Sequence, residues 1–221
     1  VAEQLPGTVG FVIPDRFQLV YLEFARSANA LGLHEVTGSR IAMASTAAGH
    51  AHTAALDPEV GDALIAEMER EHPADAKVLK PRIEANREHL REHGYVVACG
   101  LWSPHINGCA VPLWSPQYQT YVVASIGLLS AMYDEKRLHS EVAPQMLQLA
   151  AELGSLLEGA DGSVFSGSGR SATACSSDCN RSSGGNAPLF FQHLRELSSF
   201  EDGQRRKVFD DLFEVCHNLC S

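Results

Sequence analysis

Apolar residues dominate two short segments near the start of the chain, residues 7–13 (GTVGFVI) and 17–25 (FQLVYLEFA). Both segments are rich in β-branched and aromatic side chains, which are enriched in strands. Between them lies the sequence PDR, in which Pro14 and Asp15 are residue types that favour turns. The pattern therefore predicts a β-hairpin, so that two antiparallel strands open the domain.

The stretch from Gly38 to Leu56, GSRIAMASTAAGHAHTAAL, combines a polar turn with a run of very small side chains. We predict a short strand at residues 41–43, followed by a helix through Leu56 whose cap is Ser45 or Thr46. The side-chain oxygen of such a cap accepts one of the N–H groups that a helix start leaves unpaired. The small residues have two interpretations. They allow close packing on a sheet, or they leave room for a small anion at the unpaired N–H groups.

The segment after Asp57-Pro58 is polar, with apolar side chains at helical spacing on one side. It predicts amphipathic helices as far as residue 93, with breaks near Pro73 and Pro81. Strand-like segments and a second amphipathic pattern follow, with Ser-Pro turns between the strands. These elements are predicted at residues 94–100, 107–114, 120–129 and 140–158.

The order of the elements decides the fold class. Strands come in two groups separated by a block of helices, which predicts an α+β fold: a curved antiparallel sheet of about five to six strands flanked by helices. Residues 1–159 form the folded domain in this interpretation. Residues 160–186 are dominated by Gly and Ser, as is typical of a flexible linker. Residues 187–221 show helical spacing again and are predicted to be a short helical segment of unknown role.

The acidic composition narrows the classes of function. The chain has 17 Lys and Arg against 27 Asp and Glu, a formal net charge of −10 at pH 7. Nucleic-acid binding needs clustered cations, so we expect no DNA-binding surface on this segment. No apolar run approaches the roughly 18 residues that span a bilayer, and a signal-peptide pattern is absent, so we expect a cytoplasmic protein without membrane contact. The chain starts at Val1, and we expect a further N-terminal part to precede it.

Several of these segments, in this order, resemble the effector-binding domain of IclR-type transcriptional regulators, the isocitrate lyase regulator family. The matching sequences are VYLE (20–23), the stretch 38–56, REHGYVV (91–97), INGCAVPLW (106–114) and VVASIGL (122–128). The resemblance implies a GAF- or profilin-like domain that senses a small organic acid and forms a homodimer or homotetramer. It implies contact with DNA only through an N-terminal winged helix-turn-helix domain, which the present sequence does not include. It implies no enzymatic activity and no cofactor, and residues 160–221 have no counterpart in it.

The resemblance also implies a ligand-binding pocket. At its centre lies the predicted helix start, where unpaired N–H groups and the positive end of the helix dipole favour a carboxylate. The family's pocket positions fall on Ala47, Ala48, Ala98, Ile106, Gly108, Ser125 and Gly127. The cap residue Thr46 and the neighbouring Trp102 complete the predicted ligand-binding set.

Two of these positions indicate the size of the ligand. Members of the family that sense very small oxo-acids carry a polar or acidic side chain at the position of Ala98 and a hydroxyl at that of Gly127. Small apolar residues at both positions, with Trp102 and Trp114 expected nearby, favour a bulkier or aromatic acid over a two- or three-carbon acid. Trp102 has a second interpretation, as a half-buried lid on the sheet edge.

Three polar residues near the predicted helix are weaker candidates. Arg40 is able to pair with a carboxylate through two hydrogen bonds, but a solvated loop position or an interface contact is the favoured interpretation. His50 and His52 are two residues apart on a helix and do not share a face, so they are poor joint ligands. The family usually carries Lys or Arg at the position of His50, which indicates a surface or interface role.

The cysteines raise the question of a metal. Cys99, His105 and Cys109 converge only if two strands pair suitably, and their spacing matches no known zinc unit. Strand cysteines are more often small buried hydrophobic residues. The tail carries two C-x-x-x-C pairs, 175–179 and 216–220, which suit bridges or, with His217, a zinc site. A reducing cytosol keeps thiols from forming bridges, and the Ser-rich sequence around residues 175–179 has a poor helix propensity. We therefore expect neither bridges nor a metal site in the tail.

Two alternative functions stay open at this point. A Cys or Ser nucleophile beside His105 would suit a hydrolase, but the sequence has no nucleophile elbow, P-loop or dinucleotide-binding glycine motif. We therefore assign no catalytic residue. A purely oligomerising module would use the same sheet edges and helix faces without any ligand.

Overall fold

The computed structural model describes residues 5–26 and 37–159. In this part of the chain six strands form one antiparallel sheet in the order β3-β2-β1-β6-β5-β4. The strands are β1 Thr8–Asp15, β2 Gln18–Arg26, β3 Arg40–Ala42, β4 Val96–Ser103, β5 Ile106–Ser115 and β6 Thr120–Leu129. The predicted α+β class and antiparallel sheet are confirmed. The predicted linker 160–186 and helical segment 187–221, with the tail cysteines, lie outside the described residues.

The first hairpin turns later than the sequence predicted. Strand β1 continues through Pro14 and Asp15, and the turn is made by Arg16, at φ 56°, and Phe17. Proline lacks an N–H group and is tolerated in a strand only where no neighbour needs one. Pairing between β1 and β6 stops at Val12, so Pro14 lies where β1 has a neighbour on one side only.

Helices cover both faces of the sheet. Those between β3 and β4 are α1 Ala47–Ala55, α2 Pro58–Glu71, α3 Pro73–Leu79 and α4 Ile83–His93, and those after β6 are α5 Glu135–Arg137 and α6 Ala143–Gly159. Pro58 opens α2, as predicted, and at the predicted break near Pro73 a new helix, α3, begins. Within the described part of the chain no helix is both long enough and apolar enough to cross a membrane.

The last helical region begins earlier than residue 140. Asp134 caps it by accepting a hydrogen bond from the N–H of Arg137 at 2.9 Å, so α5 starts at Glu135. A wider π-helical turn, Leu138–Val142, then leads into α6. The short α5 carries three charged residues and no apolar periodicity, which is why the sequence pattern missed it.

Successive side chains of a strand point to opposite faces of the sheet, so the described residues form one apolar core on each face. One lies between the sheet and α6, where Met146 and Leu149 meet Ile126 of β6. The other lies between the sheet and α1–α4, where Ala51 and Met68 pack in the same cluster as the central strands. The helix start predicted to bind an acid therefore rests on the sheet face opposite α6.

Candidate functional site

The first turn of α1 is capped by Thr46. Its Oγ1 accepts a hydrogen bond from the N–H of Gly49 at 3.2 Å and donates to the carbonyl of Ala42 at 2.8 Å. The N–H groups of Ala47 and Ala48, at the first two helical positions, have no acceptor within the helix, as at any helix start. These two donors and the helix dipole give this end of α1 a partial positive charge.

Small residues bring α1 very close to its surroundings. A Cβ atom at Gly49 would lie 1.9 Å from the backbone oxygen of Met43, and one at Gly108 would lie 3.1 Å from the Cβ of Ala47. Close packing is therefore one real role of the small residues predicted at this helix start. It does not fill the space in front of the first turn.

A cleft opens in front of the first turn of α1. The empty space between its walls, counted together with the open solvent at its mouth, is about 550 Å³. Its walls come from α1, the loop before it, and strands β1 to β6. The lining residues are Thr8, Tyr21, Ile41, Ser45, Thr46, Ala47, Ala48, Ala98, Trp102, Ile106, Gly108, Ser125, Ile126 and Gly127. All nine residues of the predicted ligand-binding set are among them, and their contact with a ligand stays a prediction.

The pairing register explains how residues far apart in sequence form one floor. Thr8 lies opposite Gly127, Gly127 opposite Gly108, and Gly108 opposite Ala98. Directly opposed residues of an antiparallel pair project from the same face. A row of small side chains therefore crosses four strands beneath the start of α1, and this row gives the cleft its depth.

The sequence did not predict Thr8 as part of the site. Its side chain is 5% exposed, and its Oγ1 has no hydrogen-bond partner among the described residues. Leaving a buried hydroxyl unpaired costs about 1–3 kcal/mol, so such groups usually face a ligand or an ordered water. No local motif marks Thr8, because only its pairing with Gly127 places it on the floor of the cleft.

Tyr21, Ile41, Ser45 and Ile126 were also missed. The Tyr21 ring lies directly over β1, since a Cβ at Gly10 would be 2.1 Å from the Tyr21 Cε1 atom. Gly10 thus leaves the space that the ring occupies. A glycine within an apolar strand is a weak signal of such a close approach, but it does not identify the approaching residue.

The two tryptophans differ in their relation to the cleft. Trp102 lies on the edge strand β4, is 45% exposed and forms part of the cleft wall. Its two predicted roles, pocket wall and half-exposed edge residue, are therefore compatible. Trp114 does not line the cleft, so its expected proximity was wrong. It projects at the far end of β5 and contacts the Tyr121 ring edge-on, with centroids 5.3 Å apart.

Arg40 does not line the cleft. It is the exposed first residue of β3, where its guanidinium pairs with the Asp15 carboxylate and lies 3.5 Å from the Gln18 side-chain oxygen. This ion pair joins β3 to the end of the first hairpin. The interpretation of Arg40 as a surface residue rather than a ligand contact is consistent with this position.

His50 and His52 are both buried, so the predicted surface position of His50 was wrong. The His50 Nε2–H donates to the Ala44 carbonyl at 2.7 Å, and its Nδ1 accepts from the Asn86 amide at 2.8 Å. The His52 Nδ1–H donates to the Tyr121 carbonyl at 3.1 Å. Burial lowers the pKa of His50 and lowers that of His52 to about 4. Both imidazoles are therefore neutral near pH 7, and they hold the cleft loop and α1 in place.

The two strand cysteines lie in different environments. Cys109 is fully buried, Cys99 is exposed, and His105 lies in the turn between β4 and β5. Residues 5–26 and 37–159 contain no group of three or more His, Cys, Asp or Glu side chains that would hold a metal ion. Burial raises the pKa of Cys109 to about 12 and that of Cys99 above its usual value, with Glu135 and Asp134 adding to the latter. Protonated thiols are poor nucleophiles at neutral pH.

Comparison of the sequence with protein-family models gives no match, and a search of curated proteins gives none either. Solved structures do match. An IclR family transcriptional regulator from Brucella abortus aligns with a TM-score of 0.63 and 21% identity, over 70% of this chain and 58% of that one. The chain spans about three fifths of the length of the full regulators it matches.

Two matches are to isolated domains. The C-terminal domain of the Escherichia coli regulator KdgR aligns with a TM-score of 0.53 and 23% identity, over 72% of this chain and 91% of that domain. The inducer-binding domain of PobR from Acinetobacter, a double mutant in complex with 3-hydroxybenzoic acid, aligns with a TM-score of 0.52 and 17% identity, over 69% and 90% respectively. The described part of this chain therefore adopts the fold shared by IclR family transcriptional regulators, the C-terminal domain of KdgR and the inducer-binding domain of PobR.

Proposed function

We propose that this domain binds a small organic acid at the start of α1 and serves as the ligand-sensing part of a transcriptional regulator. One observation carries the proposal. Ala47 and Ala48, whose N–H groups have no acceptor within the helix, line the cleft, and so does Thr8, whose buried hydroxyl has no partner among the described residues. Unpaired donors and a positive helix end favour a carboxylate.

The rest of the cleft favours a bulky body on that acid. Ala98, Gly108 and Gly127 leave an open floor, and Ile41, Ile106 and Trp102 offer apolar contact area. An aromatic ring buries a large apolar area while losing little conformational entropy, and it stacks well on tryptophan. A domain of the same fold has been solved in complex with 3-hydroxybenzoic acid, and an aromatic acid is consistent with that precedent.

The regulatory role extends beyond the described residues. We infer that the domain works in the cytoplasm as a homodimer or homotetramer, and that DNA contact belongs to a separate N-terminal domain. Because the chain carries 10 more negative than positive charges, we expect it to bind nucleic-acid phosphates poorly by itself. An acid that binds one arrangement of subunits more tightly than another shifts the population towards it.

Thermal unfolding with a panel of acids tests the proposal against its alternatives. We expect benzoate and 3-hydroxybenzoate to raise the unfolding midpoint in a concentration-dependent way, more than pyruvate or glyoxylate do. A purely oligomerising module would respond to protein concentration and to none of the acids. A hydrolase would consume its substrate in a way that depends on Cys99 or His105. If pyruvate and glyoxylate bind and the aromatic acids do not, the proposed preference for a bulky acid is wrong.

Substitution Ala48→Asp is expected to weaken acid binding at least about 100-fold. Its carboxylate would occupy the helix donors and repel a second anion about 4 Å away, which is worth about 4 kcal/mol at an effective dielectric of 20. Ala48 is only 2% exposed, so circular dichroism first establishes that the variant is folded before its affinity is compared. Isothermal titration measures the affinity, and Val60→Asp, on the exposed surface of α2, adds the same charge as a control. Unchanged affinity in Ala48→Asp would remove this wall from the site.

Substitution Thr8→Val is expected to stabilise the ligand-free protein by about 1 kcal/mol, because it removes a buried hydroxyl without a partner. It should also weaken acid binding about tenfold, by removing one hydrogen bond to a charged ligand. The matched control is Thr53→Val, since the Thr53 hydroxyl is buried and donates to the Gly49 carbonyl at 2.9 Å. That control should lose stability and keep its affinity. Urea unfolding measures the free energy of unfolding, and isothermal titration calorimetry measures the affinity for the acid. An unaltered affinity in Thr8→Val would show that the Thr8 hydroxyl does not touch the ligand.

A further inference from the structure

The edge strand β4 contains a bulge beside the cleft. Pairing of β4 with β5 is regular as far as Cys99 and resumes at Ser103, so the register skips the three residues between them. The first of the three, Gly100, has a left-handed backbone at φ 64°. The last, Trp102, forms part of the cleft wall. A bulge bends its strand and turns a side chain in a new direction, so the direction of Trp102 depends on the bulge.

The side chain of Asn107, on β5, holds this bulge. Asn107 is 6% exposed. Its Oδ1 accepts a hydrogen bond from the Gly100 N–H at 3.1 Å, and its Nδ2–H donates to the Tyr133 carbonyl at 2.9 Å. The Tyr133 backbone is itself held, because its N–H donates to the Leu129 carbonyl at 3.0 Å. Since an N–H only donates and a carbonyl only accepts, these partners fix the orientation of the Asn107 amide. Asn107 therefore ties the bulge to the loop after β6.

We infer that Asn107 is a positioning residue: it keeps Trp102 in the cleft wall and thereby sets a preference for aromatic over saturated ring acids. The inference rests on the proposed acid-binding function and adds a determinant of its specificity. Asn107 is not among the described residues that line the cleft, so it acts through the bulge rather than by touching the ligand. An aromatic pair gains attraction beyond the area it buries, so moving the indole ring weakens an aromatic acid more than a saturated one.

Fluorescence tests the positioning step without any ligand. The chain has two tryptophans, so in a Trp114→Phe background the tryptophan emission comes from Trp102 alone. Asn107→Ala leaves the Gly100 N–H without its acceptor, and we expect the relaxed bulge to raise acrylamide quenching of Trp102 by about 1.5-fold or more. Thr53→Val removes a buried hydrogen bond within α1 instead and should leave the quenching unchanged. Unaltered quenching in Asn107→Ala would overturn the inference.

Gly100 gives a second test that keeps Asn107 in place. Among the described residues, a Cβ at Gly100 would meet only the Pro104 Cα, at 3.9 Å, so a side chain has room there. The left-handed backbone strongly disfavours valine and tolerates asparagine. We therefore expect Gly100→Val to change the Trp102 quenching as Asn107→Ala does, and Gly100→Asn to preserve it. Equal effects of the two substitutions would show that the bulge does not position Trp102.

Isothermal titration of the full 221-residue chain with benzoate and cyclohexanecarboxylate tests the specificity step. At pH 7.5 the two acids carry the same charge and differ in the aromaticity of the ring. Asn107→Ala should lower the ratio of the benzoate affinity to the cyclohexanecarboxylate affinity by about fivefold, and Trp102→Leu should lower it by as much. The double variant should show no further loss, because Asn107 acts through Trp102.

The outcomes separate this inference from the proposed function. If both acids bind and the affinity ratio is unchanged in Asn107→Ala, the role of Asn107 in specificity is wrong and the acid-binding function stands. A further loss in the double variant would likewise contradict action through Trp102. If neither acid binds the native chain, the proposed function fails and takes the specificity role with it.

Discussion

Replacing Gly49 by alanine is expected to destabilise the protein by about 3 kcal/mol or more, or to prevent folding. A Cβ atom there would lie 1.9 Å from the backbone oxygen of Met43 and 2.5 Å from its carbonyl carbon and Cα. No rotamer change relieves a clash with backbone, so α1 would have to move away from the residue 43–44 segment. That movement also breaks the Thr46 cap, whose oxygen holds the Gly49 N–H.

The same substitution at Gly154 serves as the matched control. Gly154 also lies inside a helix, α6, but a Cβ there would meet only the Leu113 Cδ2 at 3.9 Å, an ordinary contact. Alanine has the higher helix propensity, so Gly154→Ala should stabilise by about 0.5–1 kcal/mol. Urea unfolding monitored by circular dichroism measures both variants. Equal effects of the two substitutions would show that α1 does not approach Met43 as closely as described.

Acid is expected to weaken the fold strongly between about pH 6.5 and 4. The pKa of His52 is lowered to about 4 by burial, although its N–H bonds the Tyr121 carbonyl. In the unfolded chain the same imidazole binds a proton near pH 6.5, so the unfolded state takes up protons first as the pH falls. The free energy of unfolding is therefore at its full value above pH 6.5 and is progressively lost below it. For His52 alone the loss reaches about 3 kcal/mol at pH 4, and His50, also lowered by burial, acts in the same direction.

Urea unfolding at pH 7.5, 6.0 and 5.0 measures this slope. His52→Gln removes the titrating group, and its free energy of unfolding should fall less steeply with acid, whatever its value at pH 7.5. A steep slope retained in His52→Gln would locate the acid sensitivity in other groups.

Much of the sheet was predictable because its strands carry β-branched runs bounded by proline turns. The start of α1 was predictable for a similar reason, since Thr46 is a good cap and the residues after it are small. The hairpin turn was misplaced because proline is compatible both with a turn and with a strand that pairs with a neighbour on one side only. Its position was decided by where β6 stops pairing, at Val12, and no local pattern shows this.

The site was only partly predictable from the sequence. The nine predicted residues line one cleft because the prediction used the family's pocket positions, and those positions already reflect how the strands pair. Thr8 was missed because nothing near it in sequence indicates that it faces Gly127. The burial of His50 was missed because its partner Asn86 lies 36 residues away, and that of His52 because Tyr121 lies 69 residues away. Polar side chains are usually placed at the surface unless such distant partners are known.

The most direct test is to observe the two helix donors while an acid binds. In protein labelled with ¹⁵N-alanine, titration with benzoate should move the amide proton resonances of Ala47 and Ala48 downfield until they saturate, because a carboxylate accepts their hydrogen bonds. The amide of Ala55, at the other end of α1, should move little, and benzamide, which lacks the charge, should cause much smaller shifts. Saturating benzoate that leaves the Ala47 and Ala48 amides unmoved would contradict the account.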